Sequence, residues 1–216
     1  MARRKNSNFL VFPPSPNTPS KLSRSFYSRS TLTVASDLLG KVLVRRLNRR
    51  KLAGKIVETE AYVGPHDLAC HASKGHTPRT SVMFGPPGFA YIYMIYGFYF
   101  CLNVVTEPLG YPAAVLIRAV EPLENADWMK KLRNSPERDT NLTSGPGKLC
   151  MAMSIDKQLN GADLLGTTLW IEDRKIDPGP ILTSPRVGVD YAGEYKDKPW
   201  RFFLDGNPHV SRVRFK

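Results

Sequence analysis

FAYIYMIYGFYFCLNVVTE, residues 89–107, is the strongest strand signal in the chain, dense in aromatic and branched side chains and broken once by glycine. Such residues suit a pleated, half-buried surface, and the single break makes the run a hairpin of two antiparallel strands turning at Tyr96 and Gly97. Tight hairpins favour Asn-Gly, because both central residues take positive φ. Tyr-Gly is a poor substitute, so the tip is shaped by use rather than by turn economy. Nor can alternation bury Tyr91, Tyr93, Tyr96, Phe98, Tyr99 and Phe100 on one face; part of this set belongs to the core and the rest is left for contact.

Working outward, AAVLIRAVEP reads as a buried strand carrying one charge, Arg118. An almost buried guanidinium needs a partner, and a carboxylate such as Glu60 would serve. LENADWMKKLRN has the apolar spacing of a helix, and TSGPGKLCMAMSI is a second one entered through a Gly-Pro-Gly turn. TTLWIED, PRVGVDY and WRFFLDG read as short strands and loops. Upstream, TLTVASDLLGK is a short helix with Thr31 or Thr33 as N-cap and Gly40 closing it. The strand KVLVRRL then leads, through a turn rich in Arg45, Arg46, Arg49, Arg50 and Lys51, into the strand AGKIVETEAY. Strands and helices mix without βαβ alternation, which predicts α+β rather than a doubly wound sheet.

The chain has 216 residues and a formal net charge of +12, which favours a polyanionic partner such as nucleic acid. Arg3, Arg4, Lys5, Lys21, Arg24 and Arg29 precede the first acid, Asp37, in a segment rich in Pro and Ser. Its composition predicts a flexible basic arm over residues 1–28, followed by one domain over residues 29–216. Apolar runs end well short of the roughly 20 residues a bilayer requires, so no membrane partner is expected. Cys70, Cys101 and Cys150 form no C-x-x-C pair, which favours a reducing compartment.

VETEAYVGPHDLACH, residues 57–71, places carboxylates inside this basic chain. On an extended strand Glu58, Glu60 and Tyr62 share one side and Val57, Thr59 and Ala61 the other. Two carboxylates about 6.5–7 Å apart can hold a metal, act as acid and base, or simply face solvent. His66, Cys70, His71 and His76 lie close together, but their spacing matches no zinc motif, and no metal is expected. SGPGKLC lacks the spacing of a phosphate loop, and no Ser-His-Asp motif is readable. On a basic surface, the aromatic tip suits stacking on unpaired bases or wedging between base pairs.

With these stretches, from SRSTLTVASDLLGKVLVR through ETEAYVGPHD, TPRTSVMF, YIYMIYGFYFCLN, VLIRAVEPLE, SGPGKLC and RVGVDYAGE to PWRFF, most of the chain resembles the alkyladenine (3-methyladenine) DNA glycosylases. The resemblance implies a single mixed domain around a curved antiparallel sheet flanked by helices. It also implies Glu60 as the general base activating water, supported by Arg118, and a base pocket of Tyr62, His71, Tyr93 and Asn103. Tyr96, with Phe98 and Tyr99, would enter the duplex, and Arg79 and Lys148 would contact its backbone. His66, Glu107 and Tyr111 depart from the family pattern, in regions bearing on substrate range and DNA contacts.

The implied activity is that of a monofunctional, cofactor-free monomer acting on double-stranded DNA with damaged purines. It would be cytoplasmic and nucleoid-associated in a bacterium, nuclear or organellar in a eukaryote. The carboxylate strand offers no obvious amine for lyase chemistry. Two rivals are a metal-dependent nuclease using Glu58 and Glu60, and a binding module without catalysis.

Overall fold

The computed structural model describes residues 19–134 and 139–212. Its strands are β1 (Ser20–Lys21), β2 (Val42–Leu47), β3 (Arg50–Tyr62), β4 (Ala90–Ile95), β5 (Tyr99–Thr106), β6 (Ala113–Glu124), β7 (Leu169–Asp173), β8 (Ile181–Ser184) and β9 (Arg201–Leu204). The helices are α1 (Arg24–Tyr27), α2 (Thr31–Asp37), α3 (Ala126–Arg133) and α4 (Pro146–Ala152). All strands join one antiparallel sheet in the order β1-β7-β2-β3-β6-β5-β4, with β9 added on β3 and β8 on β9. The α+β class expected from the sequence is the one observed.

The hairpin turns where its sequence says. Ile95 pairs with Tyr99, the Phe98 N–H donates to the Ile95 carbonyl at 3.3 Å, and Tyr96 and Gly97 have φ of 51° and 78°. Tyr96 thus holds the left-handed conformation an asparagine would adopt more readily, at a cost of about 1–2 kcal/mol.

β3 is the spine. Its first half pairs with β2, while Glu58, Thr59 and Glu60 pair with β9, and β6 runs along its other edge with register shifts on either side of Glu58. These bulges bend a strand and re-aim its side chains. Ile56 and Val57 consequently both enter the main core, which strict alternation forbids, whereas Ala61 joins the core and Thr59 donates to the Ala35 carbonyl of α2 as alternation requires. Leu102 and Val104 of β5 and Val115 and Ile117 of β6 face the same core, so the opposite side of the sheet is free to build a site.

Two expectations are corrected. Ser30, not Thr31 or Thr33, caps α2; Thr31 is buried, and its N–H and hydroxyl both donate to Glu107 Oε1, at 2.6 and 2.8 Å. Glu107 is therefore a structural brace between the loop after β5 and the start of α2. PRVGVDY is one of the expected loops and folds inward. The arm read over residues 1–28 ends earlier: residues 1–18 lie outside the described residues, but β1 pairs with β7, and Leu22 and Tyr27 are buried in the main core. The Ser- and basic-rich composition hid these apolar anchors.

Candidate active site

Four strands bring the site together by register. Glu60 of β3 lies opposite Leu116 of β6, Leu116 opposite Asn103 of β5, and Asn103 opposite Tyr91 of β4. One step along, Tyr93 faces Cys101. With side chains alternating, these positions share the face turned away from the core. All of them except Glu60 line a cavity of about 460 Å³ together with Tyr62, His71, Arg118, Tyr191 and the loop Val187–Val189.

Glu60 is fully buried behind this wall, as is Glu58, so neither is the solvent-facing strand residue that an arbitrary Glu-x-Glu would be. The Tyr62 hydroxyl donates to Glu60 Oε2 at 2.9 Å, the Val187 N–H donates to Oε1 at 2.7 Å, and Arg118 Nη1 lies 3.1 Å from Oε1. A carboxylate accepts about four hydrogen bonds. With one donor on it among the described residues, Oε2 keeps acceptor capacity from which a water could be deprotonated. Burial and the neighbouring Glu60 hold the Tyr62 phenol well above its usual pKa, so it stays a donor.

Glu58 serves differently. Its Oε1 accepts from Arg118 Nε at 2.9 Å and Arg201 Nε at 2.7 Å. Arg118 thus bridges two buried carboxylates. Their coulombic fields outweigh its desolvation and raise its pKa, so it remains a cation. Both carboxylates are directed at guanidinium groups, and among the described residues no group of three or more His, Cys, Asp and Glu is placed to hold a metal. His66 and His76 are exposed, apart from His71 in the cavity wall.

Tyr93, His71 and Tyr91 form the aromatic wall. His71 packs edge-on to Tyr93 with ring centroids 4.4 Å apart, and its Nδ1 is hydrogen-bonded to the Tyr91 hydroxyl at 2.8 Å. Burial, helped by the charge of Arg79, pushes the His71 pKa down to about 4. A neutral imidazole does not repel a cation. Asn103 is buried and donates to the Tyr91 carbonyl at 3.1 Å.

At the rim, Tyr96 is 82% and Phe98 64% exposed, which leaves both projecting from the tip. Tyr99 differs: it is half-buried, and any side chain at Gly147 would strike its ring, so it braces the start of α4. Arg79 is exposed, its guanidinium 5.5 Å over the Tyr93 ring at the pocket edge. Lys148 lines the cavity and donates to Asn141 Oδ1.

The sequence reading missed Asp67 and Arg186, a fully buried pair joined by two bonds of 2.5 and 2.8 Å. Arg186 also lies 4.8 Å over the Tyr62 ring, and the next residue, Val187, donates its N–H to Glu60. A charged residue just before the apolar run VGV was the available signal, but its partner stands 119 residues away.

The model of the family described as methylpurine-DNA glycosylase matches residues 25–208. A protein from Methanocella arvoryzae provisionally named a 3-methyladenine DNA glycosylase is 56% identical over 196 residues, 88% of this chain and 96% of that protein. Proteins with the same provisional name from Alkaliphilus oremlandii and Desulfitobacterium hafniense are 52% and 48% identical, over 89% and 88% of this chain and 99% and 98% of their own lengths.

Proposed function

Because the chain belongs to the methylpurine-DNA glycosylase family, and so has DNA as its substrate, we propose that it hydrolyses the N-glycosidic bond of alkylated purines such as 3-methyladenine, using water activated by Glu60. The observation that carries this reading is a buried carboxylate, Glu60, with a single donor on its Oε2 among the described residues, set behind an aromatic cavity of about 460 Å³. A base within the duplex stack is beyond reach, so the nucleotide is flipped out, most cheaply where damage weakens pairing or stacking. Tyr96 fills the space it leaves. In the cavity the purine lies against Tyr62, Tyr93 and neutral His71, and the electron-rich ring faces favour a cationic alkylated base.

The chemistry follows from charge. As the glycosidic bond breaks, its electron pair leaves with the base, so a cationic purine departs neutral while positive charge develops on the sugar. Glu60 takes a proton from water, whose oxygen bonds to the anomeric carbon, and its negative charge stabilises the transition state. One carboxylate suffices because alkylation has already activated the leaving group, whereas ordinary glycosidases use two.

The test is product analysis on methylated duplex DNA in the presence of EDTA. Free alkylated purine is expected with the strand intact until alkali treatment, and Tyr96→Ala is expected to lower release at least about tenfold. A nicked strand that requires a divalent ion would identify a nuclease instead. A borohydride-trapped adduct would identify an amine nucleophile such as Lys148, the amine lining the cavity.

A further inference from the structure

Glu58 is held more tightly than a strand carboxylate that only balances charge. Besides Arg118 and Arg201, it accepts from the Ser211 N–H at Oε2 and the Ser211 hydroxyl at Oε1, both at 2.8 Å. The Ser211 carbonyl accepts from Arg201 Nη2 at 3.3 Å, and its hydroxyl lies 3.4 Å from Arg118 Nη2. All these contacts go to the buried cluster whose other end is Glu60. The segment after β9 is anchored elsewhere, by Asp205 to the Pro180 carbonyl and Asn207 to Glu121, so its attachment does not rest on Ser211. Ser211 also lies beyond residues 25–208, which the family model matches.

We propose that Ser211 is a positioning residue for base release: it fixes Glu58, which fixes the guanidinium of Arg118 beside Glu60 and so makes the segment from β9 to Ser211 part of the active site. The inference rests on the reading of Glu60 as general base. Arg118 presents Nε to Glu58 and Nη1 to Glu60 from one planar group. Its tilt toward Glu60 is therefore set by where Glu58 stands. A loosened Glu58 lets that plane rotate toward Oε2, where it competes with the attacking water.

The experiment compares full-length wild type, Ser211→Ala, Ser211→Thr and Glu60→Gln by single-turnover base release from methylated duplex, affinity for that duplex and thermal melting. Ser211→Ala is expected to lower the release constant about tenfold with affinity within about twofold of wild type, and Ser211→Thr, which keeps the hydroxyl, to recover most of the loss. A wild-type rate in Ser211→Ala overturns the inference. So does a loss that Thr leaves uncorrected or that tracks a lowered melting temperature. If Glu60→Gln is inactive while Ser211→Ala is normal, only this inference fails; if Glu60→Gln releases base normally, the reading of Glu60 fails and this inference falls with it.

Discussion

Replacing Glu60 by Gln is expected to slow single-turnover base release by at least about 10³-fold, while affinity for damaged duplex and melting temperature stay close to wild type. Loss of a general base costs typically 10² to 10⁴ in rate, and loss of a charge facing a developing cation adds to it. The amide preserves shape. Its oxygen can still accept from Val187 and Arg118, and its NH2 can donate to the Tyr62 hydroxyl, which has only to rotate. Arg118 keeps Glu58 as counter-ion, so no unpaired charge is left in the interior. Base release by Glu60→Gln within tenfold of wild type would remove Glu60 from the chemistry.

The largest effect on stability is expected from Arg186→Leu, a destabilisation of about 3–5 kcal/mol, because it strands a fully buried Asp67 without its cation. Asp67 would keep the Val63 and Ala69 N–H groups, at 3.1 and 3.0 Å, which is partial compensation for a buried carboxylate. For a chain of this size the loss corresponds to roughly 6–20 °C in melting temperature. Adding Asp67→Leu to the variant should restore part of it, since removing both partners costs less than orphaning one. A melting temperature for Arg186→Leu within 2 °C of wild type, a shift of under about 1 kcal/mol, would show that the pair is not coupled to the fold.

What could be read from the sequence is what local rules govern. The hairpin, its turn at Tyr96 and Gly97, and the shared side of Glu60 and Tyr62 follow from period-two alternation and turn chemistry, and the structure has all three. The family resemblance supplied the remaining pocket residues, His71, Tyr93 and Asn103, while burial of its charge marked Arg118 as a partner for Glu60, and the structure brings all four around one cavity. What stayed hidden depends on distant contacts. Glu58 looks like the twin of Glu60, but the bulges beside it and the arrival of Arg201 and Ser211 give it a different task. Asp67 and Arg186 find each other only after the loop following β8 folds across β3. Glu107, read as a departure bearing on substrate range or DNA contacts, reaches back 76 residues to brace the start of α2. Likewise, Ser-rich composition suggested a free arm through residue 28, where Leu22 and Tyr27 fasten the chain to the core.

The central claim is that the carboxylate behind the cavity stabilises positive charge on the sugar of an extruded nucleotide. It is tested most directly by binding a duplex in which one deoxyribose is replaced by an abasic pyrrolidine, whose protonated nitrogen imitates that charge. Transition-state mimics bind at least about 10²-fold tighter than ground-state ligands. Wild type is expected to bind this duplex at least about 100-fold more tightly than a matched undamaged one, and Glu60→Gln to lose most of that preference. Equal preference in the two proteins would contradict the assignment of Glu60.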